Sequence, residues 1–279
     1  MATDFTGRTA LITGAGRGIG QAIALGLAGA GASVVLLART ASQLEYTRGL
    51  LRAQGVPADR ISMTRADLAD ERQRATTAAS VLAAGRVGIV INNAATVEPL
   101  GPTAGVAAAD LRLAFELNVV APAALTAAVL PGMLAGGWGR IVNVSSGIVA
   151  SPASMVRGNA YAATKAALEA HTVNLAAELA GTGVTVNAYR PGGVDTAMQA
   201  WIRGQDPERI GTLHEQFNRN YADGALITPR QSAAALLAHL SGDATGQIWD
   251  VSAAAVGPDR SAAPGRGSAG DGTRTSRRP

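Results

Sequence analysis

The chain has 279 residues, 47% of them hydrophobic and 4% aromatic, so it can bury a sizeable core and a wholly disordered chain is excluded. The formal net charge is +4, but residues 257–279 supply three of those charges, so no basic stripe typical of nucleic-acid binding remains. The absence of cysteine excludes disulfides, thiolate metal sites and cysteine nucleophiles, and fits a cytoplasmic protein. The three histidines are far apart in sequence, so we expect no metal site.

Short apolar runs alternate with longer alanine-rich helical segments along the chain. Strands are predicted at Thr9–Thr13, Ser33–Ala38, Ile61–Arg65, Val87–Asn92, Arg140–Ser145, Val184–Tyr189 and Gln247–Val251. Helices are predicted near Ile19–Ala30, Ala41–Gln54, Asp70–Ala84, Ala107–Leu134, Ala160–Ala180 and Gln231–Leu240. This alternation predicts an α/β fold, a single Rossmann-type doubly wound parallel sheet of about seven strands with helices on both faces.

The predicted domain spans residues 1–256, and residues 257–279 form a Gly/Pro/Arg-rich tail that we expect to be disordered. The polar segment Trp201–Ala225 is interpreted as a helical insertion over a pocket. Two uncharged runs are long enough to consider as membrane spans, but Gly18–Ala38 reads as helix, turn and strand, and Leu117–Gly139 as a buried helix and a loop. We therefore expect no membrane partner and a cytoplasmic location.

A glycine-rich loop joins the first predicted strand to the first predicted helix. It reads Thr13-Gly14-Ala15-Gly16-Arg17-Gly18-Ile19-Gly20. Glycines permit a tight turn and close approach of backbone to a phosphate, and the helix start supplies unpaired N–H groups and the positive end of a dipole. We predict dinucleotide binding here through Gly14, Gly16, Arg17, Gly18, Ile19 and Gly20; a purely structural turn is the alternative.

The end of the second predicted strand distinguishes two nicotinamide cofactors. An NAD-binding protein usually carries an acidic residue there for the ribose 2′-hydroxyl, whereas this chain has Arg39 and no acid before Glu45. Arg39, with Arg17, could clamp a 2′-phosphate by charge-assisted hydrogen bonds. The pattern therefore favours NADP(H) over NAD(H), the alternative being two solvated surface arginines.

Tyr161 and Lys165 are four residues apart in a predicted helix, so they share one face. A phenol has a pKa of about 10, and a nearby ammonium, together with the positive nicotinamide of an oxidised cofactor, lowers it by favouring the phenolate. Lys165 is the only lysine in the chain. The pair predicts acid–base chemistry at Tyr161; the alternative is a packed tyrosine beside a surface lysine.

Residues 5–256 resemble the short-chain dehydrogenase/reductase family, because its motifs occur in family order. They are Thr-Gly-x-x-x-Gly-Ile-Gly from Thr13, Asn92-Asn93-Ala94-Ala95, Asn118, Ser145-Ser146, Tyr161-x-x-x-Lys165 and Pro191-Gly192. The resemblance implies hydride transfer between NADP(H) and a carbonyl or alcohol, without a metal. Tyr161 would be the general acid or base, Lys165 would hold the ribose hydroxyls and lower the pKa of Tyr161, Ser146 would polarise the substrate oxygen, and Asn118 would hold a relay water.

The same resemblance implies further cofactor contacts. They are Asp67 and Leu68 beside the adenine, Asn93 and Ala94 along the cofactor, and Pro191, Gly192, Val194 and Thr196 over the nicotinamide. Three of the residues implied by the resemblance also have structural alternatives. Ser146 could be a loop hydroxyl, Asn118 a buried polar group of a helix, and Asp67 a helix cap.

Two departures from the family pattern stand out. Ala95 replaces the usual glycine, which is harmless if the backbone there has negative φ. The stretch from Ser146 to Tyr161 is slightly long, so we expect Ser151–Gly158 to bulge at the pocket mouth.

The substrate pocket is predicted to take a small or aromatic ketone or diketone. Candidate pocket residues are Val97, Glu98, Met155, Arg157, Met198 and Trp201. Asp195–Gln199 and Gln247–Asp250 resemble the sepiapterin reductase and benzil reductase branch, which implies that Asp250 orients a pterin; a strand-end cap is the alternative.

Two other functions remain open at this stage. A 3-oxoacyl-thioester reductase, acting on acyl-carrier-protein or CoA thioesters, shares every motif; a carrier partner would need basic residues at the mouth, for which Arg157 and Arg203 are the obvious candidates. A non-catalytic dinucleotide sensor would retain the fold without turnover. The family resemblance suggests a homodimer or homotetramer, with the alanine-rich helices around Leu111–Leu134 and Ala160–Ala180 at an interface.

Overall fold

The computed structural model describes residues 4–83 and 85–251. The tail predicted at 257–279 lies outside the described residues. Seven strands form one parallel sheet in the order β3-β2-β1-β4-β5-β6-β7. They are β1 Thr9–Thr13, β2 Ser33–Ala38, β3 Ile61–Arg65, β4 Ile89–Asn92, β5 Gly139–Val144, β6 Val184–Arg190 and β7 Ile248–Asp250. The predicted doubly wound fold is confirmed, with each strand within two residues of its expected bounds.

Ten helices connect and cover the described strands. They are α1 Gly18–Gly29, α2 Ala41–Ala53, α3 Glu71–Ala83, α4 Ala108–Phe115, α5 Ala121–Ala135, α6 Asn159–Glu178, α7 Ala197–Arg203, α8 Pro207–Ile210, α9 Thr212–Ala222 and α10 Pro229–Leu240. A π-helical turn, Glu116–Val120, joins α4 to α5. The ambiguous segment Trp201–Ala225 is helical, as interpreted from sequence, but it is divided among three short helices.

The core consists of two apolar layers because side chains alternate along each strand. Ala10 and Ile12 of β1 face helices α1, α2 and α10, whereas Leu11 between them faces α3, α5 and α6. Both faces of the sheet are therefore covered, which explains why its central strands are largely apolar and almost entirely buried.

The helical stretch Ala108–Ala135 is long and apolar enough to cross a membrane by length and composition, a test that the core helices of globular folds also pass. Leu117, Leu125, Val129 and Met133 on this stretch are buried against the sheet. We interpret it as a core helix.

The strand order reverses between β1 and β4, since β1 continues to β2 on one side and β4 continues to β5 on the other. In open parallel sheets the loops diverge at such a point and leave a crevice at the carboxyl ends of the strands. The fold thus places the glycine loop after β1 beside the loops after β4 and β5.

Candidate active site

A cavity of about 580 Å³ occupies this crevice. Predicted site residues that line it are Gly14, Gly16, Arg17, Gly18, Ile19, Arg39, Leu68, Asn93, Ala94, Ser146, Tyr161, Lys165, Pro191, Gly192, Val194 and Thr196. Gly20, Asp67 and Asn118 were also expected in the site but do not line the cavity. One continuous space therefore joins the predicted dinucleotide residues to the predicted acid–base residues.

The glycine loop owes its shape to two glycines in particular. Gly14 has φ 66°, a left-handed conformation that disfavours side chains. A Cβ at Gly20 would lie 2.4 Å from the carbonyl oxygen of Gly14, so Gly20 permits close packing of α1 on the turn and has no need to touch a ligand. The loop after β4 is fixed to this turn, because the Thr13 hydroxyl accepts hydrogen bonds of 2.9 Å from the backbone N–H groups of Asn93 and Ala94.

The N-terminus of α1 is open to an anion. Its N-cap residue, Arg17, makes no side-chain cap, and the first turn contains no acidic residue. Gly18 and Ile19 of that turn line the cavity. Unpaired backbone N–H groups at the positive end of a helix favour phosphate binding.

Arg39 stands at the end of β2, where the sequence predicted it. Its side chain is 66% exposed and lies 3.8 Å from the carboxylate of Asp67, a loose surface pair. Asp67 also accepts a 3.0 Å hydrogen bond from the backbone N–H of Ala69, so it holds the turn after β3; it does not cap α3, since Asp70 accepts from the Gln73 N–H at 3.0 Å. The Arg39 guanidinium thus has one weak partner and borders the cavity.

Ser145 and Ser146 point in different directions at the end of β5. The Ser145 hydroxyl is buried and donates to Glu169 Oε1 at 2.6 Å. Ser146 is partly exposed at the cavity; its hydroxyl accepts a 3.4 Å hydrogen bond from the Ile148 N–H, as the loop-hydroxyl alternative expects, and acts to lower the pKa of Tyr161. This geometry supports the choice of Ser146 as the residue that faces a substrate.

Tyr161 and Lys165 lie on one face of α6, with the Lys165 ammonium 5.7 Å from the centroid of the Tyr161 ring. Burial raises the pKa of Tyr161, and the hydrogen bond with Ser146 only partly opposes that effect. The sequence predicts that Lys165 lowers this pKa. Burial prevails in the structure, where the ammonium donates a 2.7 Å hydrogen bond to the Val144 carbonyl.

The ammonium of Lys165 is itself buried, and burial lowers its pKa to about 8, while the nearby Glu169 carboxylate opposes the shift. Glu169 was missed by the sequence reasoning. Its position four residues after Lys165, on the same helix face, was the signal available.

Asn118 is buried in the π-helical turn and spans two segments. Its Oδ1 accepts from the Thr96 N–H at 2.9 Å, and its Nδ2 donates to the Thr96 carbonyl at 2.8 Å and to the Thr164 hydroxyl at 3.0 Å. Both side-chain N–H groups are therefore used to fix the loop after β4 to α6. This is the structural alternative considered for Asn118.

The far end of the cavity is largely apolar. Val97, Met155 and Met198 line it as predicted, but Glu98, Arg157 and Trp201 do not. Sequence reasoning missed the other lining residues here, which are Ile148, Ser154, Gln199, Ile202, Gln216 and Phe217. Gln199 and Ile202 come from α7 and Gln216 and Phe217 from α9, and the sequence pattern did not show which faces of these two short helices turn towards the cavity.

Asp250 is not brought to the cavity. Its carboxylate is 59% exposed and lies 3.6 Å from the Arg190 guanidinium at the end of β7. The carboxylate therefore pairs with a side chain of the neighbouring strand, neither a backbone cap nor a residue of the cavity, and the expected pterin contact is not supported. Ala95, which replaces the usual glycine, has no positive φ, since Arg157 is the only non-glycine residue with positive φ in the described ranges. The extra methyl group is therefore tolerated by the backbone at this position.

A parallel sheet with a cofactor-sized crevice, an open helix N-terminus and a Ser-Tyr-Lys cluster defines a nucleotide-dependent oxidoreductase class. The family described as short chain dehydrogenase matches residues 8–207. The chain belongs to the short-chain dehydrogenase/reductase family and is an oxidoreductase of that family.

Several known proteins are similar to the chain over most of its length. Ketoacyl reductase HetN of Nostoc sp. is 36% identical over 214 residues, which are 75% of this chain and 71% of HetN. L-sorbose reductase of Gluconobacter frateurii, solved with NADPH and L-sorbose, gives a TM-score of 0.79 at 28% identity, covering 90% of this chain and 97% of that one. A variant of actinorhodin polyketide ketoreductase, solved with NADPH, gives a TM-score of 0.77 at 31% identity, and the match covers 90% of this chain and 97% of that one.

Proposed function

We propose that the protein is an NADP(H)-dependent reductase that transfers a hydride between the cofactor and a carbonyl or alcohol, with Tyr161 as the acid or base. The observation that carries this proposal is the single cavity that joins the glycine loop and Arg39 to Ser146, Tyr161 and Lys165. The two solved relatives described above, both with NADPH, support the same cofactor.

The donor set of the site fits NADP(H). The uncapped start of α1 offers backbone N–H groups to a pyrophosphate. Arg39, with only a 3.8 Å partner, can give two parallel hydrogen bonds to a 2′-phosphate. No carboxylate at the end of β2 is available to a 2′-hydroxyl, and Asp67 faces Arg39 instead, so NAD(H) fits less well.

When bound, the nicotinamide cofactor would supply or accept the hydride. In reduction the Tyr161 phenol donates its proton to the substrate oxygen; its raised pKa keeps it protonated at neutral pH. The Ser146 hydroxyl donates to the same oxygen and helps to hold the negative charge that develops there. The phenolate left on Tyr161 is stabilised by the Lys165 ammonium on the next turn of α6.

The substrate that we favour is a small or aromatic ketone or diketone, because the inner wall of the cavity is formed by Val97, Met155, Met198, Ile202 and Phe217. Apolar side chains recognise such a body, while the Ser146 and Tyr161 hydroxyls recognise its oxygen.

A second candidate is reduction of a 3-oxoacyl thioester, which is favoured by the names of HetN and the actinorhodin ketoreductase. The two basic residues expected to meet an acidic carrier are engaged elsewhere. Arg157 donates to backbone carbonyls, and Arg203 pairs with Asp195 at 3.9 Å and stacks on Tyr221. The engagement of these two arginines counts against a carrier-protein partner, and it equally leaves them without a free contact for the phosphates of CoA.

We further propose that residues 1–256 carry the activity, and that the protein works in the cytoplasm as a homodimer or homotetramer. Leu113 on α4 and Val173 on α6 are exposed, in the two regions expected at an interface. Exposed apolar side chains in both regions support an association between copies.

NADPH oxidation against a carbonyl panel tests the proposal. The panel holds a vicinal diketone, sepiapterin, L-sorbose and acetoacetyl-CoA, with NADH as the alternative cofactor and Tyr161→Phe as the inactive control. Turnover of a diketone with NADPH that is lost in the variant supports the proposal. Turnover of acetoacetyl-CoA alone favours the second candidate, and tight NADPH binding without any turnover favours the dinucleotide sensor.

A further inference from the structure

Arg157 ends the loop between β5 and α6 in an unusual backbone conformation. Its φ is 68°, in the left-handed region where a side chain is unfavourable. A residue stays there when contacts around it compensate for the strain.

The Arg157 guanidinium supplies those contacts across the chain. Its Nη1 donates to the carbonyl oxygen of Glu208 and, at 3.0 Å, to that of Arg209, both in the last turn of α8. These carbonyls lie at a helix C-terminus, where a positive charge is favourable. Gly211 makes room for the contact, since a Cβ there would lie 3.2 Å from Arg157 Cζ.

Two further hydrogen bonds close a ring of three segments. The backbone N–H of Gly101 donates to the Arg157 carbonyl at 2.8 Å, and Arg209 Nε donates to the Leu100 carbonyl at 3.0 Å. The loop after β4, the loop before α6 and the short helix α8 are thereby tied to one another. We call this arrangement of Leu100, Gly101, Arg157, Glu208 and Arg209 the arginine ring.

The arginine ring lies behind the apolar wall of the cavity. Leu100, Met155 and Ile210, each within the three tied segments, pack in one buried cluster with Ile202 and Leu213. Met155 and Ile202 of that cluster line the cavity. The arginine side chains of the ring do not line it, so they act on the wall from outside.

We propose that Arg157 is a positioning residue that holds the segment 197–222 over the substrate end of the cavity and thereby sets the affinity for the carbonyl substrate. This inference rests on the proposed function. It gives Arg157 a role different from the substrate or carrier contact considered from sequence, because its guanidinium is used on backbone carbonyls. Cofactor affinity is unaffected, since the glycine loop and Arg39 lie outside the arginine ring.

Two variants separate the guanidinium from the backbone strain. Arg157→Gly removes both, and Arg157→Ala removes the guanidinium but keeps a side chain at positive φ. Arg219→Ala, exposed on α9 of the same segment, is the matched control. The measurements are KM and kcat for the substrate, Kd for NADPH, and amide hydrogen exchange across 197–222 with β1 and β4 as internal references.

Both Arg157 variants are expected to raise KM about tenfold, the scale of one charge-assisted hydrogen bond. kcat and the NADPH Kd should stay within about twofold, and exchange should accelerate in 197–222 but not in the reference strands. Unchanged KM and exchange in Arg157→Gly would overturn the proposal, as would the same changes in Arg219→Ala. If the wild type reduces no carbonyl, the proposed function fails while hydrogen exchange still decides whether Arg157 holds the segment.

Discussion

Glu169 accepts two hydrogen bonds of 2.8 Å from Arg190, so a buried carboxylate and a guanidinium face each other in parallel below the active site. Glu169 lies one helical turn beyond Lys165 and also accepts from the Ser145 hydroxyl. Arg190 comes directly before Pro191, which lines the cavity. One carboxylate of α6 therefore connects the ends of β5 and β6, so it links three of the segments that carry predicted site residues.

Loss of that carboxylate should destabilise the fold. Glu169→Gln leaves Arg190 with only the Asp250 carboxylate at 3.6 Å, and removing one partner of a buried pair costs about 3–5 kcal/mol. Asp250→Asn is the matched control: it removes the other, exposed partner of the same arginine and should cost about 0–1 kcal/mol. Urea unfolding measures both, and equal losses in the two variants would contradict the assignment.

Reduction should slow as the pH rises through about 8, the pKa to which burial lowers the Lys165 ammonium. Above that pH the ammonium becomes neutral and no longer stabilises the phenolate left on Tyr161. The Glu169 carboxylate opposes the fall in the pKa of Lys165. Glu169→Gln removes that negative charge and leaves Arg190 as a nearby cation, so the pKa of Lys165 should fall further and the alkaline limb of kcat should move to lower pH. Asp250→Asn should leave the limb in place. If the alkaline limb of kcat lies at the same pH in the wild type, Glu169→Gln and Asp250→Asn, then the titration of Lys165 does not control the rate of reduction.

The sheet was predictable because its strands are short, largely apolar runs between longer helical segments, as in β4 and β5, where every residue is buried. The convergence of Ser146, Tyr161 and Lys165 was expected from the order of the family motifs, and the structure brings them to one cavity. Local pattern and fold agree at these positions.

The remaining features depend on contacts that no local pattern records. Arg157 bonds to carbonyls 51 and 52 residues further along, and a backbone acceptor has no sequence signature. The raised pKa of Tyr161 follows from burial, which sequence spacing does not report. The pterin-binding role predicted for Asp250 came only from the resemblance to one branch of the family. Its pairing with Arg190 depends on the register of β6 and β7, which the sequence does not reveal.

Tyr161→Phe should reduce kcat about 10²–10⁴-fold, the usual scale for loss of a general acid. Only the hydroxyl is removed, so packing on α6 is kept and the NADPH Kd, from fluorescence titration, should change less than about twofold. Tyr46→Phe, at a tyrosine 63% exposed on α2, is the control and should retain full activity. A kcat for Tyr161→Phe within threefold of wild type, on the scale of about 0.6 kcal/mol, would remove Tyr161 from the mechanism.

Arg39→Asp should reverse the cofactor preference. The change removes a charged donor at the end of β2 and places there the acidic group that typically accepts from a ribose 2′-hydroxyl. We expect NADPH affinity to fall about 10–100-fold, on the scale of charge-assisted hydrogen bonds, and NADH affinity to hold or improve.

Asp67 complicates that variant, because its carboxylate lies 3.8 Å from Arg39 and would repel a new aspartate. Arg39→Ala separates the two effects: it loses the phosphate contact without adding charge, so NADPH affinity should fall while NADH affinity stays constant. Arg72→Asp, at an exposed position on α3, controls for the change in net charge. The ratio of kcat/KM for NADPH to that for NADH is the measurement. A ratio unchanged in both Arg39 variants would mean that Arg39 is a solvated surface arginine, the alternative left open by its sequence.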